Sequence, residues 1–90
     1  MRVTWDPEKA RTNLRKHGIR FSDAEAVLFD PLAITVEDIS SRGEPRFISV
    51  GTDSLGQVLV VVYAYRETHV RLISARRATR KEHHRYEEGV

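Results

Sequence analysis

Basic side chains near helix and strand ends are the residues of this sequence whose types suit chemistry at a phosphate. The segment from Arg66 to Arg85 carries seven Lys or Arg residues against two Glu. Arginines at a strand end can converge on one surface, where the planar guanidinium matches the oxygens of a phosphate. The alternative is a solvated basic edge that keeps an outer strand from pairing with other chains. On this segment alone, the two interpretations have about equal weight.

Cleavage of RNA without a metal ion is a reaction that such side chains could perform. It needs a base that takes the proton of the 2′-hydroxyl, cations beside the phosphate oxygens, and an acid that protonates the leaving 5′-oxygen. Histidine titrates near neutral pH, and His17 is predicted beside Lys16 at the end of an exposed basic helix. The alternatives are a packing role for His17 beside Ala10 and Leu14, and simple solvation of the helix by Lys16.

Arginines at predicted strand boundaries are the candidates for contact with the phosphate, because side chains from neighbouring strands can converge there. These are Arg46, Arg66 and Arg76. The alternative for each is a surface ion pair with an acidic residue from the middle of the chain. Four more basic residues are candidates for RNA binding. They are Lys9, Arg71, Arg77 and Arg80.

The sequence predicts neither a metal site nor a cofactor. It has no phosphate-binding loop, dinucleotide fingerprint, nucleophile elbow or metal-binding helix motif. His83 and His84 are adjacent on a predicted helix and point about 100° apart, so they do not form the i, i+4 pair that a helix uses for a metal. Without cysteine, the chain has no thiolate nucleophile and no disulfide.

Length and charge distribution limit the possible classes of protein. Ninety residues predict one domain over residues 1–90. No apolar run is long enough for a membrane span and no signal peptide is evident, so we expect a cytoplasmic protein. The net charge of +2 is unevenly distributed, since residues 1–20 and 66–90 are basic and residues 21–65 are acidic. If the two basic ends meet in the fold, they form a patch that attracts polyanions.

Two N-terminal helices are predicted to position part of this patch. The first runs from Pro7 to about His17, because Asp6 is a good N-cap and Gly18 a good terminator. The second is predicted to begin with a capping box over Ser22–Glu25 and to end before Pro31.

A sheet and a C-terminal helix are predicted to carry the remaining basic residues. The expected strands are 3–5, 32–36, 46–51, 57–65 and 70–75, of which the β-branched strand 57–65 is central. A capping box at Thr79 predicts a final helix over Arg80–Glu88. The expected fold is α+β, with a small antiparallel sheet arranged as a meander and helices on one face.

Several segments, taken together, resemble the BrnT toxins. In order along the chain they are Val3–Lys9, Asn13–Ile19 with Phe21, Asp30–Leu32, Glu44–Phe47 with Gly51, and Ile73–Thr79 with Glu82, Tyr86 and Glu87. The resemblance covers essentially the whole chain. It implies a RelE-like toxin fold and the toxin half of a bacterial type II toxin–antitoxin pair, which cleaves RNA and inhibits translation.

The resemblance also implies a catalytic set and a partner. It places Lys16, His17, Arg46, Arg66 and Arg76 on the active surface of the family. Arg66 and Arg76 would hold the phosphate with help from Arg46, and Lys16 or His17 would move protons. The implied partner is a BrnA-like antitoxin with a ribbon-helix-helix DNA-binding region, which binds operator DNA within a complex of two toxins and two antitoxins. We expect it to cover the basic patch or to contact the last helix.

Two other classes of function fit the same basic surface. One is a non-catalytic module that binds nucleic acid, and the other is a protein that only docks an acidic partner. Binding to RNA alone does not separate the first of these from a ribonuclease, because both bind in a salt-sensitive way. Cleavage products do.

Overall fold

A five-stranded sheet organises the computed structural model, which describes residues 1–89. The elements in chain order are β1 (Val3–Thr4), α1 (Pro7–His17), α2 (Phe21–Ala24) with a 3₁₀ segment (Glu25–Phe29), β2 (Ile34–Asp38), β3 (Arg46–Thr52), β4 (Val58–Tyr65), β5 (Val70–Arg77) and α3 (Arg80–Glu88). The predicted α+β class is confirmed. The domain predicted over residues 1–90 includes Val90, which lies outside the described residues.

The sheet is mixed, so the prediction of a purely antiparallel sheet is wrong. Its strand order is β1-β5-β4-β3-β2, and β2 to β5 form the predicted antiparallel meander with β4 at the centre. β1 instead runs parallel to β5, with Val3 opposite Val70. The pairing is favoured because Val3 and Trp5 pack against the hydrophobic core from this position.

The first two helices cover one face of the sheet. α1 begins and ends where predicted, with the Asp6 side chain accepting from the N–H of Glu8 and Gly18 in the left-handed conformation. α2 differs from the prediction, because it begins at Phe21 and has no side-chain cap. Burial explains the difference, since Phe21 and Ala24 enter the core together one turn apart. The main core residues are Ile19, Phe21, Ala24, Val27, Leu59, Val61, Leu72 and Ala75.

Helix α3 lies against the opposite face, so the expectation of helices on one face only is wrong. No α3 residue is buried, and the helix is held by polar contacts. The Tyr86 hydroxyl donates to Asp30 Oδ2 at 2.6 Å and lies 2.8 Å from Thr52 Oγ1. Burial raises the pKa of Asp30, but hydrogen bonds from Tyr86, Thr52 and Leu32 more than offset it, and the net pKa is below the usual value.

Strand β2 starts later than predicted. Asp30 has extended backbone, as expected before Pro31, and its carbonyl accepts from the N–H of Ala33. The resulting turn delays β2 to Ile34 and extends it to Asp38. Within residues 1–89, no helix combines the length and the apolar composition that crossing a membrane requires.

Candidate active site

The outer edge of β5 carries the first cluster of predicted site residues. β1 pairs with this edge only at Val70 and Arg71, so the following residues of β5 face helix α1. A depression of about 320 Å³ lies between them. We call it the edge site, and its lining residues are Glu8, Lys9, Thr12, Asn13, Lys16, His17, Ile73 and Ser74.

Three basic side chains of α1 line the edge site. Lys9 and Lys16 are two turns apart on one face, and His17 follows in the last turn. All three are exposed. The packing role considered for His17 is therefore absent, although its carbonyl accepts from Arg77 Nη1 at 3.5 Å.

A buried amide side chain fixes α1 to β5 beneath this depression. Asn13 is 5% exposed, and its Nδ2 donates to the carbonyls of Ala75 at 2.8 Å and Ile19 at 3.1 Å. Its Oδ1 accepts from the N–H of Ala75 at 3.0 Å. These bonds set the position of Lys16 and His17 relative to β5. Sequence reasoning did not find this role, because the only signal was one polar residue in a basic stripe.

Arg76 projects from β5 on the other face of the sheet and is held by a carboxylate. Its Nη1 and Nη2 donate to the two oxygens of Glu82 at 2.9 and 3.0 Å. The hydrogen bonds from Arg76 lower the pKa of Glu82 to about 2, with a further contribution from the N–H of Thr79, although burial opposes them. The same pair raises the pKa of Arg76. The Arg76 guanidinium has further N–H donors that can contact a phosphate.

Ser74 lies in the lining of two depressions, and sequence reasoning missed it as a site residue. It lines the edge site and also a second depression that includes Arg76. Ser74 and Arg76 are two residues apart in one strand and therefore share a face. Ser74 is thus shared by the depression that Lys16 and His17 line and the depression that Arg76 lines.

The second depression, which we call the sheet groove, is mostly aliphatic. Its volume is about 280 Å³. The strand register places its residues in two rows that cross the sheet. One row is Ile34, Val50, Val60 and Arg76; the other is Val36, Ile48, Val62 and Ser74; Glu82 and Arg85 of α3 complete the lining.

Three other predicted arginines gather around Glu44, which we call the Glu44 cluster. Glu44 pairs with Arg66 at 2.9 Å and also with Arg71. Arg46 and Arg71 both lie opposite Ala64 of β4, and each has a buried Nε without a hydrogen-bond partner among the described residues. Hydrogen bonds from Ser40 lower the pKa of nearby Asp38, and the charge of Arg46 adds to this effect.

The Glu44 cluster and Arg76 are separate. Arg76 lies opposite Val60 of β4, whereas the cluster lies at Ala64, which is about 13 Å further along the strand. Arg46 therefore lies two rows away from Arg76 in the sheet. Of the ion pairs with middle-segment acids considered as an alternative, the one between Arg66 and Glu44 is present. Arg71 shares the same carboxylate, and Arg46 lies close enough to Asp38 for its charge to act on that carboxyl.

The remaining basic candidates lie outside both clusters. Arg77 points to the α1 side, where its Nε donates to Gln57 Oε1 at 3.0 Å. Arg80 is exposed at the start of α3. On the same helix, His83 and His84 pair with Glu87 and Glu88 at 3.6 and 3.4 Å. In the part of the chain described, no group of three or more His, Asp or Glu side chains is placed to hold a metal ion.

Comparison with known proteins identifies the family of this chain. A family profile described as the ribonuclease toxin BrnT of type II toxin–antitoxin systems matches residues 5–82. The chain belongs to the BrnT family. It is also similar to the Brucella abortus ribonuclease toxin BrnT, solved at 1.1 Å, with 25% identity and a TM-score of 0.69. That match covers 89% of this chain and 99% of the other. No curated protein matches the sequence.

Proposed function

We propose that this BrnT-family toxin cleaves RNA at the edge site without a metal ion. The observation that carries the proposal is that the depression lined by Lys16 and His17 shares Ser74 with the depression lined by Arg76. A proton-transfer group and a phosphate-binding cation are thereby brought to the same stretch of β5. The buried Asn13 bonds hold the two sides at a fixed distance, which favours catalysis by positioning.

The reaction is a transesterification within the RNA. A base removes the proton of a 2′-hydroxyl, and the 2′-oxygen attacks the adjacent phosphorus. The bond from phosphorus to the 5′-oxygen breaks, and an acid gives a proton to the leaving oxygen. The products are a 2′,3′-cyclic phosphate and a 5′-hydroxyl. His17 performs one of the two proton transfers, and Lys16 stabilises charge beside it.

Arg76 stabilises the negative charge that develops on the phosphate oxygens. Glu82 binds one side of the guanidinium through both of its oxygens and so fixes the orientation of the remaining donors. Ser74 lies between Arg76 and the edge site, where its hydroxyl can donate to the same phosphate.

The Glu44 cluster is proposed to bind RNA away from the scissile bond. We assign Arg46 a binding role in place of the expected catalytic one, because about 13 Å separates its row from that of Arg76. Arg66 takes the same role, because it shares the Glu44 carboxylate with Arg71 of that row. Arg71 acts with them. Lys9, Arg77 and Arg80 are proposed to contact the phosphate backbone around the edge site, where they contribute affinity without base specificity.

The wider role follows from the family and is also a proposal for this chain. RNA cleavage would inhibit translation in the cytoplasm, and a BrnA-like antitoxin would neutralise the toxin. Operator DNA would be bound through the antitoxin in a complex of two toxins and two antitoxins. The RelE-like character of the fold belongs to the same set of expectations.

Incubation of the antitoxin-free protein with purified RNA in excess EDTA tests the reaction. We expect cleavage by the wild type and none by Arg76→Ala. Arg11→Ala is the matched control, because Arg11 is also an exposed arginine paired with a carboxylate, that of Glu8, but its own side chain lines a different depression, beside α2. Undiminished cleavage by Arg76→Ala would contradict the site, and no cleavage by the folded wild type would contradict direct cleavage of free RNA.

The pH dependence of the same reaction tests the role of His17. Replacement of His17 by Gln is expected to remove one limb of the pH–rate profile, because a glutamine amide does not transfer a proton. Lys16→Ala should lower the rate while keeping that limb. A His17→Gln protein with an unchanged profile would show that His17 moves no proton.

A further inference from the structure

The sheet groove is an apolar surface that the fold leaves open. Its six aliphatic side chains lie on the face opposite the main core, in two adjacent rows of the register. Val36, at the outer end, is 55% exposed. Helix α3 covers only the neighbouring stretch, around Thr52. One face of a sheet with this many aliphatic side chains normally packs against another element.

The dimensions of the groove match a short helix. It crosses four strands, from β2 to β5, which corresponds to roughly 14 Å at the usual strand spacing. A helix of about ten residues has that length. An added strand would instead extend the outer edge of β2, because strands pair along an edge and do not lie across a face.

The charges on the two sides of the groove indicate an acidic occupant. Arg85 of α3 lines one side, and among residues 1–89 no ion pair joins it to a carboxylate. Arg46 and Arg71 form the next row on the other side, where Glu44 pairs with Arg71 but the buried Nε of each arginine has no hydrogen-bond partner among the described residues. A helix with an aliphatic stripe and acidic residues on both sides of that stripe would complement this pattern.

We propose that the sheet groove receives an acidic amphipathic helix of the antitoxin, about three turns long. This inference rests on the proposed toxin–antitoxin pairing, and it names the surface on which the partner docks. The β5 end of the groove is formed by Ser74 and Arg76. A helix in the groove therefore covers Arg76 and ends beside the edge site. The antitoxin would in this way neutralise the toxin by blocking access of RNA to the catalytic surface.

Charge introduced at the exposed end of the groove tests the proposal. Val36→Glu is expected to weaken binding of the co-expressed antitoxin by at least about tenfold, because a carboxylate replaces an apolar contact beside an acidic helix. The matched control is Leu55→Glu, at an exposed leucine in the turn between β3 and β4. The affinity of this variant for the antitoxin should stay within about twofold of the wild-type value. Both variants should cleave RNA at the wild-type rate, since neither residue lies in the edge site or the Glu44 cluster.

A photo-crosslinker at position 36 identifies the occupant directly. We expect it to capture an antitoxin peptide with helical spacing of aliphatic residues and flanking acids. If Val36→Glu proves unstable, Arg85→Glu supplies a second test. We expect it to lose antitoxin affinity by a similar factor, measured against the control Arg80→Glu at the start of the same helix.

Three results would overturn the docking proposal. They are unchanged affinity in folded Val36→Glu and Arg85→Glu, crosslinks to a second copy of the toxin, or crosslinks to a strand pairing along the edge of β2. Failure of the wild type to cleave RNA would refute the proposed reaction instead, and the binding measurement would remain interpretable.

Discussion

Replacement of Glu82 by Gln tests the charge-assisted pair of Arg76 and Glu82. Gln has nearly the same shape as Glu and also serves at the third position of a capping box. The side-chain oxygen that accepts from the N–H of Thr79 at 2.8 Å is therefore retained, and the helix start is preserved. The negative charge facing Arg76 is lost, together with the acceptor for Arg76 Nη2, because the amide nitrogen that replaces Glu82 Oε2 is a donor.

The pKa of Glu82 gives the magnitude of the effect. A shift from the ordinary 4.5 to about 2 corresponds to roughly 3 kcal/mol of stabilisation if it is fully realised. The side chains of Arg76 and Glu82 are 42% and 30% exposed, so solvent screening reduces this value. We expect Glu82→Gln to lower the free energy of unfolding by about 1–2 kcal/mol at neutral pH, and Tm by roughly 5–15 °C.

The pH dependence has a defined sign. The pKa of Glu82 is lower in the folded protein than in the unfolded chain, so the ionised pair stabilises the fold fully above pH 4.5. This stabilisation is lost as the pH falls from 4.5 toward 2. The difference in stability between wild type and Glu82→Gln should therefore be constant near neutral pH and shrink in the acidic range.

Urea unfolding across that pH range provides the assay. Glu87→Gln is the control, because Glu87 lies on the same helix, is 66% exposed and pairs weakly with His83. Its replacement should change the free energy of unfolding by less than about 0.5 kcal/mol. The reasoning would be refuted by a Glu82→Gln loss no larger than that of the control, or by a loss that persists unchanged at acidic pH.

Three further predictions concern other parts of the site and its support. Asn13→Ala should cost about 2–4 kcal/mol in urea unfolding, because it leaves buried groups of Ala75 without partners; a cost below about 1 kcal/mol would contradict this role. Gly51→Ala should cost about 1–3 kcal/mol, since its Cβ would lie 3.0 Å from Asp30 Oδ2, and an unchanged Tm would count against the close contact. Lys16→Ala should lower the slope of the logarithm of RNA affinity against the logarithm of salt concentration by about one, as expected for the loss of one phosphate contact. An unaltered slope would show that Lys16 does not contact the RNA.

Local signals in the sequence were sufficient for the elements whose ends are set by their own residues. Asp6 and Gly18 mark the ends of α1, and the Thr79–Glu82 capping box marks the start of α3, as predicted. The capping box predicted at Ser22 failed because burial of Phe21 determines where α2 begins. Tertiary packing overrode a local pattern at that position.

Contacts between distant residues were outside the reach of a single sequence. The parallel pairing of Val3 with Val70 joins the first strand of the chain to the last, and no local pattern specifies it. The contact of Tyr86 with Asp30 and Thr52 places α3 on the second face, although its helical pattern alone fits either face.

The composition of the basic surface was predictable, but its division into two clusters was not. Lys9 and Lys16 are two turns apart on one helix face, and the helical period predicts that they lie on the same side of α1. The separation of Arg46 from Arg76 depends on the register of β3, β4 and β5, which the sequence does not specify. The family resemblance placed both arginines on one surface without giving the distance between them.

The hydrogen bonds of Asn13 have a consequence for how β5 meets other chains. An unpaired strand edge is normally a template for an additional strand. Here the side-chain amide satisfies both the N–H and the carbonyl of Ala75, as the backbone of a sixth strand would. The edge is therefore closed to intermolecular β-pairing at Ala75, although no strand covers it. A toxin that must stay accessible to RNA can thus expose this side of its sheet without aggregating through it.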